Sequence, residues 1–477
     1  MELFFIIALT IALYVRTLHY KYHPDDAVPR KEYLYNVPEK LPPQDFLDKR
    51  PHVRVRLWCI ANHCLNVALV HYLFGWQAAL IFAVHPVAVD ATAWVTGNYY
   101  AGTTFLALTA YFFIDSFGWM GTIPAMAFYW GSLNSTITGL GLPIFFAVTG
   151  NLAGLVTFLP MFAYFKSKRF RVGIELRKNM RGTEWDKIEP RKFAHMTKIV
   201  AEYVIMFFLP LRMALFREYG EYTTRTLAHY ERDCTFNKHF WKSFAICGAL
   251  LLGGLVLNWQ AVLWFFVFLA PQSQFKCYGQ GNATNRYLYL PMIGLAILVS
   301  YLPMPLYYAI VGILVYRTWL YTPAWKDIGS VHLNCLENFP GRSMSWGDYA
   351  QWIICNYVIL DDKDPKKDMN RLNQAGYLTQ EALRRNIDHD SKYEIFEVYV
   401  NAALYFSNIK QIYPALKFTE DAMRTGAVQN MGPYMTRALE GQHRAFNKII
   451  SDLKQKEKKD ALMGNNKSNI RPVPAHA

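Results

Sequence analysis

The sequence predicts an all-α polytopic membrane protein of about eleven transmembrane helices, followed by a C-terminal domain of helical repeats. Hydrophobic residues fill 53% of the 477 positions and charged residues 18%, yet mean hydropathy is close to zero. Apolar and polar material must therefore be segregated along the chain. Apolar runs recur up to about Leu320, and after Tyr321 the pattern becomes that of soluble amphipathic helices. The expected division is a membrane domain over 1–321, a helical domain over 322–460 and a disordered tail over 461–477.

Phe4 to Leu18 is apolar apart from Thr10, Arg16 and Thr17, and Arg16 can snorkel, so the first span is short. A secretory signal is the competing reading. No basic amino-terminal region and no small-x-small cleavage site accompany the run, so it is read as retained. Residues 19–55 form a loop rich in proline and charge. Further spans follow at Leu57–Phe74, Ala78–Val89, Thr103–Phe117, Thr122–Leu133 and Pro143–Phe165. Later ones are expected near 199–217, 240–257, 259–271, 288–303 and 305–320.

The loop 166–198 carries eleven lysines and arginines against Glu175, Glu184, Asp186 and Glu189, which the positive-inside rule makes cytoplasmic. Counting spans back puts the amino terminus inside and the 19–55 loop outside. Counting forward puts the C-terminal domain outside as well. The loop bearing Asp25 and Asp26 is itself basic, with Lys21, Arg30, Lys31, Lys40, Lys49, Arg50, Arg54 and Arg56. Basic residues beside an anionic lipid substrate have a use of their own, so the count of spans decides its side. The acceptor patterns Asn134-Ser135-Thr136 and Asn282-Ala283-Thr284 both fall outside in this topology.

In the C-terminal part, Tyr399, Ala402, Ala403, Phe406, Ala415 and Ala422 follow the small-residue spacing of one tetratricopeptide-type helix pair. Such a pair cannot bury its face alone and must stack on neighbours, here helices expected at 344–358 and 433–457.

Seven cysteines without a CxxC pair or zinc-type spacing point to neither a disulfide framework nor a structural metal. Cys59, His63 and Cys64 share one apolar run and read as core rather than as metal ligands. The net charge of +14 sits mainly in loops between apolar segments and in the tail, which suits anionic lipid headgroups better than nucleic acid.

The candidate chemistry starts at Asp25-Asp26, two carboxylates just beyond the first apolar segment. Two further runs stand out. His85-Pro86-Val87-Ala88-Val89-Asp90-Ala91-Thr92-Ala93-Trp94-Val95-Thr96-Gly97 resembles a His-Pro-x-x-x-Glu-Ala-Val-Ala-Trp-x-Ser-Gly signature. Asn285-Arg286-Tyr287-Leu288-Tyr289-Leu290-Pro291-Met292-Ile293-Gly294 resembles Glu-Arg-x-Leu-Tyr-Leu-Pro-Ser-x-Gly. Both signatures are those of the transmembrane-and-tetratricopeptide O-mannosyltransferases, which have the type-C glycosyltransferase fold. Thr138-Gly139-Leu140-Gly141-Leu142-Pro143 matches a third, looser run, and the order of motifs along the chain agrees. The chain departs from the family at Asp90 and at Asn285, where the family has Glu, and in the large basic loop 166–198.

The resemblance implies a mannose-like sugar carried from a polyprenyl- or dolichyl-phosphate donor to a Ser/Thr hydroxyl of protein. Asp25 or Asp26 would be the general base. Arg286 would pair with the leaving lipid phosphate and do what a cation does in soluble transferases, so no metal and no cofactor is expected. His85, Asp90, Trp94 and Tyr289 complete the expected substrate-binding set. Each has a plainer reading as well: His85 as the close of a helix before Pro86, Trp94 and Tyr289 as interfacial anchors, Asp90 as a solvated acid and Arg286 as a snorkelling cation. The expected partners are the lipid-linked sugar, a protein acceptor and membrane lipids. The expected site of residence is the endoplasmic reticulum of a eukaryote, or the inner or plasma membrane of a bacterial or viral system. A non-catalytic scaffold, binding a partner through its helical repeats, is the alternative. A transporter fits less well, because the spans show no row of facing acids and no paired broken helices.

The topology has a direct test. Single cysteines placed at Asp26, Asn282 and Tyr399 should react with an impermeant reagent from the same side of the membrane, and one at Arg177 only from the other. Labelling at Arg177 alone from outside intact cells would overturn the span count.

Overall fold

The computed structural model describes residues 1–21, 53–135, 137–168, 170–171, 190–214, 236–272, 284–341, 343–354, 369–385, 392–425 and 432–467. Among these every regular element is helical. Asp25, Asp26, Asn282 and most of the 166–198 loop lie outside the described residues.

Four stretches are long and apolar enough to cross a membrane: Glu2–His19, Val53–Phe74, Asn98–Leu133 and Lys238–Leu257. The first comprises helix α1 (Glu2–Tyr14) and a 3-10 turn (Val15–His19). The second is α2 (Val53–Phe74). The third holds two helices that pack side by side, α5 (Asn98–Phe117) and α6 (Thr122–Leu133). Between α2 and α5 stand two short helices, α3 (Trp76–Val84) and α4 (Ala88–Ala93). The expected single span over Ala78–Val89 is therefore broken. Pro86 has no N–H to continue the ladder and disfavours helical backbone at the residue before it, and His85 is indeed extended, with φ −73° and ψ 131°.

The expected span Pro143–Phe165 is also broken, into α7 (Gly141–Thr149) and α8 (Phe158–Lys166) with a 3-10 turn between them. Asn151 explains the new start. Its Oδ1 accepts the Gly154 N–H at 2.9 Å, a capping bond that opens a fresh turn. Helix α9 (Pro190–Phe208) begins inside the expected basic loop, and the side chain of Lys198 on it is fully buried. The helices before residue 322 close with α10 (Lys238–Leu257), α11 (Trp259–Leu269), α12 (Met292–Val299) and α13 (Met304–Tyr321). On α10, Leu252, Leu255 and Val256 stand more than two-thirds exposed, a distribution that suits contact with lipid better than with water.

Aromatic packing joins these helices. Trp264 of α11 is enclosed, with ring centroids of Phe268, Phe145, Phe74 and Tyr111 at 4.4, 5.1, 5.4 and 5.6 Å. Its indole N–H donates to the Leu290 carbonyl at 3.1 Å, which satisfies the one polar atom that burial would otherwise strand.

The C-terminal helices stack in chain order: α14 (Ile328–Asn338), α15 (Ser343–Ile353), α16 (Met369–Arg385), α17 (Lys392–Asn408), α18 (Ile412–Arg424) and α19 (Gly432–Lys467). The small residues are where the two central helices meet. Ala402, Ala403, Ala415 and Ala422 are at most 1% exposed, and Phe406 stacks on Phe418 at 5.4 Å. Helix α19 continues to Lys467, so regular structure runs past residue 461, where the sequence suggests a disordered tail.

Apolar packing runs across the boundary expected at 321. Trp325, Val331 and Cys335 belong to the same apolar core as the membrane helices, whereas Ala350, Ile353 and Leu378 belong to a separate one. The apolar core therefore divides within 336–349, and the first fourteen or so residues expected in the C-terminal domain are packed against the helices before 322.

Gly294 marks a close approach of α11 and α12. A Cβ there would lie 2.2 Å from the Ala261 carbonyl oxygen and 3.0 Å from the Phe265 nitrogen, both backbone atoms that cannot turn aside. Gly294→Ala should destabilise the protein by about 1–3 kcal/mol through the forced separation of α11 and α12. Gly312→Ala is the control, since a Cβ there meets nothing within 4 Å. Thermal unfolding of the two purified variants should show a lowered midpoint for the first alone.

Candidate active site

Asp90 sits on the short helix α4, outside the four candidate spans, and is fully enclosed. Its Oδ1 accepts a hydrogen bond from the Tyr321 hydroxyl at 2.8 Å and a longer one from Asn285 Nδ2 at 3.4 Å. The Asn285 amide also donates to the Ala214 carbonyl and lies 3.1 Å from the Tyr321 hydroxyl. Three segments that are remote in sequence thus meet at one carboxylate, and a fourth joins them through Ala214 at Asn285. Burial pushes this carboxyl up to about 6, against the opposing pull of the Tyr321 hydrogen bond and of the positive charge on Arg286.

Arg286 follows Asn285 on a 3-10 turn (Asn285–Leu288). Its guanidinium lies 5.2 Å from the Trp94 ring centroid and 5.4 Å from that of Tyr287, a cation between aromatic faces. Trp94 is stacked on its other partner, Trp325, at 5.6 Å and 20°. The turn that returns over α4 requires a glycine: a Cβ at Gly97 would stand 2.4 Å from the Asp90 carbonyl and 2.7 Å from the Trp94 ring. The Trp-x-x-Gly spacing of the motif is therefore a packing requirement.

Several polar atoms here are buried without a hydrogen-bond partner among the described residues. They are Asp90 Oδ2, Asn285 Oδ1, Thr284 Oγ1, Trp94 Nε1 and Arg286 Nε and Nη1. Stranding one such group costs about 1–3 kcal/mol, so a cluster of them is a feature to be explained. Acceptors, donors and a fixed positive charge stand together, the set that binds a hydroxyl-bearing anion.

Of the residues singled out in the sequence, Asp90, Trp94 and Arg286 come together. His85 and Tyr289 lie apart from that cluster and are engaged by the fold. His85 Nε2 is bonded to the Phe207 carbonyl at 3.0 Å, Nδ1 accepts from the Val87 N–H at 3.2 Å, and the ring stacks on Phe207 at 4.7 Å. The hydroxyl of Tyr289 is bonded to His63 Nδ1 at 2.6 Å, and His63 Nε2 to the Ala83 carbonyl. His63 is thereby a core histidine, and among the described residues no group of three ligand-type side chains is placed to hold a metal ion. Asp25 and Asp26 lie outside the described residues.

Sequence reasoning missed Tyr321 and Trp325, which stand at the end of an apolar run and offer no local signal. It noted Asn285 only as a departure from the family pattern. The two departures prove to be hydrogen-bonded to each other. Two carboxylates in that position could not both stay ionised at low cost, whereas an amide facing an acid supplies a donor.

Asp90 and Tyr321 yield a stability prediction. Tyr321→Phe removes the shorter bond to the enclosed carboxylate and should lower unfolding stability by about 1–3 kcal/mol. Because the carboxyl is held above the ordinary range, protonation favours the folded state. That contribution is complete below about pH 4 and fades as pH rises through about 6. Asp90→Asn should remove this slope, which unfolding measurements at pH 4 and pH 7 would show.

Comparison with protein-family models, with curated proteins and with solved structures returns no match.

Proposed function

We propose that the chain is a multi-pass membrane glycosyltransferase that moves a sugar from a polyprenyl- or dolichyl-phosphate donor to a Ser/Thr hydroxyl of protein. The observation that carries this reading is the cluster of unpartnered buried donors and acceptors around Asp90 and Arg286. A sugar phosphate is an anion dense in hydroxyls, and it fits such a set in both charge and hydrogen bonding. The resemblance of the His85–Gly97 and Asn285–Gly294 runs to O-mannosyltransferase signatures supports the same reading.

In this mechanism a carboxylate, Asp25 or Asp26, takes the proton of the acceptor hydroxyl as its oxygen forms a bond to the anomeric carbon. The bond from that carbon to the phosphate oxygen breaks, and the electron pair leaves with the lipid phosphate. Arg286 stabilises the anion that departs, and Asp90 and Asn285 accept from sugar hydroxyls. The reading needs no metal ion, because Arg286 carries the positive charge. His85 and Tyr289 act behind these residues by holding the segments in place. About eleven spans, with the C-terminal helices as a tetratricopeptide-type platform for protein acceptors, complete the proposal.

A scaffold without catalysis is the second reading, and the wholly internal bonding of His85 and Tyr289 is what favours it. One experiment separates the two. Purified protein is incubated with labelled polyprenyl-phosphate sugars and a pool of Ser/Thr-rich peptides. Transfer is expected, and Asp→Asn at the residue that serves as base should cut it by roughly 10²–10⁴-fold. Arg286→Lys keeps the charge and loses the planar fork, so donor use should weaken more than yield does. No transfer by the wild-type protein would leave only the scaffold, and unchanged transfer in Asp25→Asn, Asp26→Asn and Arg286→Lys would remove these residues from the mechanism.

A further inference from the structure

The supply of protons fixes the hydrogen-bond roles around Asp90. The Asn285 amide has two N–H bonds, and three acceptors surround its nitrogen: Asp90 Oδ1 at 3.4 Å, the Ala214 carbonyl at 3.1 Å and the Tyr321 hydroxyl oxygen at 3.1 Å. Turning the amide over would set its oxygen against a carbonyl and a carboxylate, so the nitrogen has to face them and Oδ1 has to face away. Tyr321 gives its single proton to Asp90 Oδ1 at 2.8 Å. Each neighbour is thereby left with one acceptor that receives no proton, Asp90 Oδ2 and Asn285 Oδ1, and both residues are fully enclosed. The Trp325 indole favours the carboxylate from nearby, yet Oδ2 accepts no hydrogen bond.

Arg286 has the opposite need. Its Nε and Nη1 are donors without acceptors, and so is Nε1 of Trp94, whose ring centroid lies 5.2 Å from the guanidinium. Acceptors therefore stand at Asp90 and Asn285, and donors at Arg286 and Trp94. Asn285 and Arg286 are consecutive on one 3-10 turn, while Asp90 lies on α4 and Trp94 is the residue that ends it, so the two sets are held side by side. This division has a polarity. What binds there must bring hydroxyl protons to the first pair and anionic oxygens to the second. A sugar phosphate carries both, joined at the anomeric carbon. A bare phosphate satisfies only the second pair, and a neutral sugar satisfies the first better than the second.

Resting on the transferase reading, we infer that Asp90 and Asn285 are specificity-determining residues for the donor: their two open oxygens accept from two hydroxyls of the sugar, while Arg286 and Trp94 take its phosphate. Tyr321 is the positioning residue, because it engages Asp90 Oδ1 and the Asn285 nitrogen and so leaves the other two oxygens to the sugar. A hydroxyl missing from the sugar would strand an enclosed acceptor, and sites built around a hydroxyl reject such analogues strongly.

The test measures binding to the full chain in nanodiscs of short-chain polyprenyl-phosphate mannose, glucose and galactose, and then of analogues of the tightest. Above about pH 7 both Asp90 oxygens act as acceptors. Monodeoxy analogues remove one hydroxyl each, and monofluoro analogues replace it by an atom that does not donate. Two ring positions should lose roughly 10²-fold in affinity, to the same extent in the deoxy and fluoro forms. Asp90→Asn sets an amide N–H where Oδ2 stood, so at one of those positions the parent and the deoxy form should come within about threefold of each other. Polyprenyl phosphate without a sugar should bind Asp90→Asn no more weakly than wild type. The analogue series on the wild-type chain decides the matter even where the variant does not fold. Deoxy forms that all bind as the parent does, fluoro forms that bind as well as the parent, or unchanged discrimination in folded Asp90→Asn would overturn the assignment and leave the transferase reading standing. Binding of none of the three sugar donors by the wild-type chain would overturn both together.

Discussion

The enclosed carboxylate of Asp90 is the point on which the arrangement of the helices before residue 322 depends. Charge without water is costly, and it is tolerated here because Tyr321 and Asn285 bring donors to it and Arg286 stands nearby. Meeting that requirement forces α4, the 3-10 turn at 285–288 and the end of α13 to one place. Apolar packing alone would not select that meeting point, since hydrophobic contact has no direction.

The apolar core supplies the bulk of the attraction, and polar bonds within it supply the register. Trp264 fills the space between α2, α5, α7 and α11, but its N–H bond to the Leu290 carbonyl sets how the 285–291 turn lies against them. His63, Tyr289 and Ala83 do the same between α2, that turn and α3. Arg56 does it between α1, α2 and α4. Each bond is modest in energy, yet each leaves a buried polar group stranded if the helices slip, which makes slippage the expensive alternative.

The junction to the C-terminal helices follows the same logic. Trp325 stacks on Trp94, and Lys326 receives the Lys21 N–H, so the chain that leaves the membrane part is tied into the site before it departs.

Composition and apolar periodicity sufficed for an all-helical chain with membrane-length apolar segments, because both properties are local and additive along the sequence. The small-residue pattern at Ala402, Ala403, Ala415 and Ala422 likewise announced a close helix pair, and Pro86 announced the end of α3. The motifs placed Asp90, Trp94 and Arg286 among the functional candidates. What no local pattern contains is which distant groups share a buried charge. The bonds from Tyr321 and Asn285 to Asp90, the clasp of Arg56 on Ala93 and Lys21, and the passage of the apolar core beyond residue 321 were decided by tertiary structure. They link positions more than thirty residues apart, and the reason for each is the same: a polar atom shut away from water takes whichever partner the packed helices bring within reach.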